Sequence, residues 1–399
     1  MKMFRPKLFH SKVGIFELML FVLIQLILVA IILNIGTDIQ AHLGFVRDYI
    51  EGKVAQLPSN FLFYAIIFAF SFISTKTIFL LPLTAVILAA SIFLKYYIVK
   101  QYLIKQSVAN HNLKTFKRFS IIAAMLIFTF SLPVGIFLAP NFYLGYFPPN
   151  VWHNSTTIFT MPFALLLFIV SIRQLENFKS QRNFWILVLI LINAFSKPSY
   201  LFVFLPVYIA FNVYYSGFSK KMLINMWPIL VCGLAIIFQY YQIYHSSEFY
   251  QSKSMGDGVA LYPLYFYREH LIMGVHPVIQ MIIFFLGSFI FPIVYILRNP
   301  KSLYQSKTLQ FAFWSLLPAL LIFYLFIETG SRTTHANFIW QVVMCNFILF
   351  FACLAELMKL MEKNDFQYKK FLPEISAFTL HFVMGFLYFA KMIYTLSYH

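Results

Sequence analysis

The sequence predicts an all-α fold, a polytopic transmembrane helical bundle forming one integral-membrane domain over residues 1–399. Three observations predict it. Hydrophobic residues make up 61% of the chain and charged residues 11%, against about 25% charged in an ordinary soluble domain. The apolar residues fall in long continuous runs, which suit spanning helices rather than the alternating strands of a barrel. The basic residues fall in short clusters between those runs, the pattern of cytoplasmic loops.

The net charge of +17 is therefore a topological signal, and a nucleic-acid partner is not expected. The three cysteines, Cys232, Cys345 and Cys353, lie in apolar runs without a CxxC spacing. They predict neither a disulfide framework nor a metal site.

A transmembrane helix needs roughly 17–25 apolar residues, and spans are expected over 13–33, 78–99, 119–138, 157–172, 184–196, 199–215, 222–243, 276–297, 309–328, 336–358 and 372–395, about eleven crossings. The first run carries Glu17 as its one charge. It exceeds the roughly 7–15 apolar residues of a signal-peptide core and reads as an uncleaved helix.

Segment 61–74 is also apolar, and charge decides its fate. With the N-terminus (Lys2, Arg5, Lys7, Lys12) in the cytoplasm and 61–74 not crossing, the basic loops 100–118, 173–183, 216–221, 298–308 and 359–370 all fall inside. Segment 61–74 is then a re-entrant or juxtamembrane helix in a first outer loop, 34–77. The alternative is one kinked helix over 61–99. The spans 184–196 and 199–215 are short and meet at Ser196-Lys197-Pro198-Ser199, where proline marks a helix boundary. A second long outer loop covers 244–275, with Gly256 and Gly258 around Asp257.

Four polar clusters then face the same outer side. They are Asp38–His42 after the first span, 146–157 (YFPPNVWHNSTT), the SKPS turn, and 328–340 (ETGSRTTHANFIW). Lipid rejects such groups unless they serve a site. Only 13 residues are acidic, which singles out Asp38. It can take a proton from an attacking hydroxyl or cap the helix that follows it. Arg332 can grip a phosphate or pair with Glu328 at i,i+4 spacing. Lys197 can contact phosphate, join an ion pair or snorkel to the surface. His42, His153, Asn154, His335 and Asn337 can donate hydrogen bonds to a substrate. No HxxxH or HExxH spacing occurs, so no metal ligand is assigned; a divalent cation, Mg or Mn, stays open as a cofactor.

The arrangement resembles the polytopic GT-C glycosyltransferases. The likeness rests on Asp38 in GTDIQAH just past the first span, on the juxtamembrane segments through Phe68, on the short helices around SKPS and on the late outer loop with Arg332. The sequence has a single Asp38 where many members carry paired acids. The resemblance implies transfer of a sugar from a polyprenyl-phosphate donor, at the outer face of the cell inner (plasma) membrane, to a glycan, lipid or protein acceptor. The donor and membrane lipid are the implied partners. Asp38 would be the base and Arg332 with Lys197 the phosphate holders. An O-antigen-type polymerase or ligase is an alternative, and a lipid-linked sugar transporter or flippase a second.

Overall fold

The computed structural model describes residues 14–107, 113–134, 143–244, 258–269, 272 and 274–398. Helix dominates. The basic residues before position 13 and most of the 244–275 loop, Asp257 included, lie outside the described residues.

The first span is α1 (Ile15–Asn34). Its Leu18, Met19, Val22 and Leu26 are exposed while Leu20, Ile24 and Leu28 are buried. One apolar face thus meets neighbours and the other is left for lipid. A short turn leads to α2 (Asp38–Ile50). Thr37 caps it, its hydroxyl accepting from the Ile39 amide at 3.2 Å, and Gln40 closes the box by accepting from the Thr37 amide. This overturns the capping reading of Asp38: the cap is Thr37, and the Asp38 side chain is used elsewhere. The Gln40 amide also donates to the Ile32 and Ile35 carbonyls, at 2.7 and 2.8 Å. These bonds fix α2 against the end of α1.

Next comes α3 (Leu62–Phe70), nine residues long, less than half the roughly 20 needed to cross a bilayer. Residues 71–76 separate it from α4 (Thr77–Gln106), and Phe72 and Ile73 sit at positive φ. The kinked-helix alternative over 61–99 is therefore not what forms. Asn60 donates to the Ser196 carbonyl, tying this segment to the SKPS turn.

The 119–138 expectation needs correcting. Its helix, α5 (Leu113–Ile127), stops after 15 residues. Residues 128–132 run on as buried non-helical chain, the Phe130 amide donating to the His381 carbonyl at 2.9 Å and the Leu132 amide to the Gly287 carbonyl at 2.8 Å. Irregular backbone at this depth survives only where protein satisfies it. Two glycines admit it. A Cβ on Gly385 would lie 1.7 Å from the Phe128 carbonyl oxygen, and one on Gly287 2.4 Å from that of Leu132.

The remaining helices are α6 (Ser155–Glu176), α7 (Ser180–Ser196), α8 (Ser199–Ser216), α9 (Lys220–Tyr244), the short α10 (Tyr265–Glu269), α11 (Pro277–Arg298), α12 (Pro300–Gln305), α13 (Lys307–Leu325), α14 (Trp340–Lys363) and α15 (Leu372–Thr395). Among the described residues nine helical segments are long and apolar enough to cross a membrane. The helices α5 and α7, at 15 and 17 residues, fall below that length. Helices α14 and α6 are the most enclosed.

One departure from all-α is a ribbon that the sequence reading did not anticipate. Strands β1 (Gly258–Leu261) and β2 (Phe326–Thr329) pair antiparallel, Val259 opposite Glu328. It cuts the expected 309–328 span short at Leu325 and positions Glu328.

Polar contacts sort the helix ends into two sets. At one end Arg182 of α7 donates to the Gln174 side chain and the Arg173 carbonyl of α6. There also Ser107, past α4, bonds Glu362 of α14, and Arg298 of α11 pairs with Glu374 of α15 at 3.0 Å. The end of α1, the starts of α2, α6 and α14, and the α7–α8 turn gather at the opposite end.

Candidate functional site

Asn154 organises that opposite end. Residues 143–154 are a non-helical, largely buried stretch leading into α6, and Asn154 is its last residue, the N-cap of that helix. Its carbonyl oxygen accepts from the Thr157 amide at 3.0 Å and from the Thr157 hydroxyl at 2.7 Å. Its amide nitrogen donates to Asp38 Oδ2 at 2.6 Å. Lys197 Nζ donates to the same carbonyl oxygen at 3.3 Å and to Thr156 Oγ1 at 3.2 Å. One amide therefore joins the acid from α2 to the lysine from the α7–α8 turn. The lysine is packed over the indole of Trp340, 4.7 Å from the ring centroid.

His42, one turn along α2 from Asp38, hydrogen-bonds Ser155 Oγ through Nδ1 and lies against Phe45 and Tyr64. Burial, with the Lys197 charge adding and Asp38 opposing, pushes its pKa down to about 4. The ring is thus a neutral group near pH 7. His153 is enclosed by aromatics: Tyr398 stacks on it at 4.3 Å, Tyr143 meets it edge-on at 4.5 Å, and Trp340 lies 6.0 Å away. Burial chiefly, with Asp38 contributing, holds the phenols of Tyr143 and Tyr398 above their ordinary pKa, so both stay protonated.

Glu328 anchors the neighbouring part. Arg332 Nε donates to its Oε1 at 2.7 Å, the Tyr244 hydroxyl to the same oxygen, and Asn337 to the other. The pairing of Arg332 with Glu328 at i,i+4 spacing is therefore present. Both residues still act electrostatically on Lys197, so the two groups form one charged cluster. His335 stands apart, exposed on the 3-10 turn Gly330–His335, and takes no part in the contacts around Asn154 or in those around Glu328.

Burial is the largest influence on Lys197. With Arg332 adding and Asp38 and Glu328 opposing, it brings the ammonium down to about 7. Near the same turn several polar atoms are shut from solvent and have no hydrogen-bond partner: Ser196 Oγ, Thr160 Oγ1, the Tyr200 hydroxyl and both ends of the Gln341 amide. Thr160 follows Thr156 by one turn of α6, and Gln341 follows Trp340. Buried polar atoms of this kind are ordinarily satisfied by ordered water or a ligand.

No group of three or more His, Cys, Asp or Glu side chains suited to a metal comes together among the described residues. Asp38 is held by an amide, and Glu328 by Arg332, Asn337 and Tyr244. This donor set does not fit a divalent cation.

Sequence reasoning missed Thr156, Tyr143, Tyr244, Tyr398 and Gln341. The NSTT run marked Thr156 as part of a polar cluster, but nothing local distinguishes Tyr398 from the other 24 tyrosines. No protein-family model matches the chain, and the search of curated proteins finds no match to it.

Proposed function

We propose that this chain is a membrane glycosyltransferase, moving a sugar from a polyprenyl-phosphate-linked donor to an acceptor hydroxyl. The observation that carries the reading is the shared amide. Asp38 and Lys197 are both bonded to Asn154, so a carboxylate and a half-buried cation flank one position. The acceptor hydroxyl gives its proton to Asp38 as its oxygen attacks the anomeric carbon. The bond from that carbon to the phosphate oxygen breaks, and the departing negative charge is met by Lys197, with Arg332 as the second cation within reach. The unpaired hydroxyls of Ser196, Thr160 and Tyr200 and the Gln341 amide suit a hydroxylated ring. His153 and the neutral His42 border the acceptor side.

Clustering of Arg173, Arg182, Arg298 and Lys370 at the far end of the bundle supports an outward site under the positive-inside rule. The membrane is then the cell inner membrane, and the acceptor a glycan, lipid or protein. A polymerase or ligase of the O-antigen type would work through free arginines, whereas the arginine in this cluster is engaged by Glu328.

The test is transfer by the protein reconstituted in sealed vesicles with labelled polyprenyl-phosphate sugars. Asp38→Asn keeps an acceptor for Asn154 and is expected to lower turnover by about 10²–10⁴-fold, the usual worth of a general base, with insertion unchanged. Undiminished transfer by that variant refutes the assignment of the base. Uptake of donor without any covalent product refutes the enzyme reading in favour of transport.

A further inference from the structure

Lys197 is unusual in what surrounds it. Its hydrogen-bond partners are the Asn154 carbonyl oxygen and the Thr156 hydroxyl, and its third side lies on the Trp340 ring. All three are neutral. The two carboxylates of the cluster are committed to other donors, Asp38 to Asn154 and Glu328 to Arg332, Tyr244 and Asn337. An ammonium has three protons to place and a charge to balance. This seat supplies two oxygens and no direct counter-charge.

Resting on the phosphate-holding role proposed for Lys197, we infer that the seat captures a lipid-linked phosphodiester together with a proton, so that ligand binding and protonation of the amine are one event. The phosphate oxygen supplies the missing acceptor and the missing negative charge at once. The proton comes from solvent and ends on Nζ. No covalent bond is made or broken.

The groups facing this amine from each packed element are few. From α2 come Asp38 and His42; from β2 and the following 3-10 turn, Glu328 and Arg332; from the stretch before α6, His153 between Tyr143 and Tyr398. The first turns of α6, α8 and α14 carry no charge. Lys95 of α4 is bonded to Asn150. His42 changes protonation near 4, below the range that matters here. Lys197 itself changes near 7, so the free amine is largely neutral at pH 8 and largely charged at pH 6. A bound anion raises that value, and the difference appears as proton uptake.

Isothermal titration calorimetry in buffers of different ionisation enthalpy measures that uptake directly. The probe is methyl citronellyl phosphate, a short isoprenoid phosphodiester that stays a monoanion from pH 6 to 9. The expected uptake is about 0.9 proton per ligand at pH 8 and about 0.1 at pH 6, with affinity about fiftyfold weaker at pH 9 than at pH 7. Lys197→Arg, always charged, is expected to bind with no uptake. Binding by the native protein with no uptake at pH 8 overturns the inference while leaving the phosphate seat standing, and uptake that persists in Lys197→Arg overturns it too. Failure of the native protein to bind the probe at any pH overturns the phosphate seat itself, and the inference with it. Dimethyl phosphate binding as tightly as the isoprenoid probe overturns the lipid-linked source.

Discussion

Replacing Asn154 separates positioning from stability, because the residue does two jobs with opposite ends of one amide. Its carbonyl oxygen caps α6 through the Thr157 amide at 3.0 Å. Its nitrogen holds Asp38 at 2.6 Å. An N-cap is worth about 1 kcal/mol, and a hydrogen bond to a charged group about 1.5–3 kcal/mol. Asp38 is half-buried, so water replaces part of the lost bond and the lower figure applies. Asn154→Ala is therefore expected to cost about 2–3 kcal/mol. Serine caps a helix nearly as well as asparagine but is too short to reach Asp38, so Asn154→Ser is expected to cost about 1 kcal/mol less. Both variants leave Asp38 and Lys197 without their common bond. Sugar transfer is accordingly expected to fall to a similar low level in both, about tenfold or more, as displaced reacting groups do. Denaturation of the protein in detergent gives the stabilities, and the reconstituted transfer assay gives the turnover. If Asn154→Ser regains activity in step with its regained stability, Asn154 is a structural cap and the Asp38–Lys197 arrangement is incidental.

Two further outcomes follow from the fold and its titrating groups. Gly385→Ala puts a methyl group 1.7 Å from a backbone carbonyl that a side-chain rotation cannot relieve, so it is expected to destabilise by about 3 kcal/mol, the upper end of the usual overpacking cost; thermal unfolding checks this, and a change under about 1 kcal/mol would show that the 128–132 segment does not seat against α15. The folded His42 changes protonation near 4 and the unfolded one near 6.5. The unfolded state thus binds more protons in that window, so the stability contribution is full above pH 6.5 and is lost as pH falls toward 4, by roughly 1–3 kcal/mol; His42→Gln should flatten the unfolding profile there, and an unchanged slope would move the effect to another group.

The apolar runs and the polar clusters between them were legible because each is local. The stretch 15–34, 17 of its 20 residues apolar, makes a helix whatever packs beside it. The start of α2 is encoded just as locally, in Thr37 and Gln40, although the sequence singles out Asp38, the next residue, as the cap. The 113–127 helix was overextended for the opposite reason: Phe128 to Leu132 continue the apolar run with only Thr129 and Ser131 interrupting it, and only Gly287 and Gly385, more than 150 residues away, leave room for them to run as non-helical chain. The strand at 326–329 was unreadable because its partner lies some 65 residues earlier.

The same division runs through the site. Sequence alone determined that the chain is a helical, lipid-compatible protein and that Asp38, Asn154, Lys197 and Arg332 are polar groups stranded between apolar spans, since composition and helix length are properties of single segments. Tertiary structure decided that Asn154 bridges Asp38 and Lys197, that Glu328 holds Arg332, that Tyr398 covers His153, and that His335 belongs to none of this. Hydrogen bonds reach about 3 Å, and which side chains come that close is set by how distant helices pack, which no local pattern encodes.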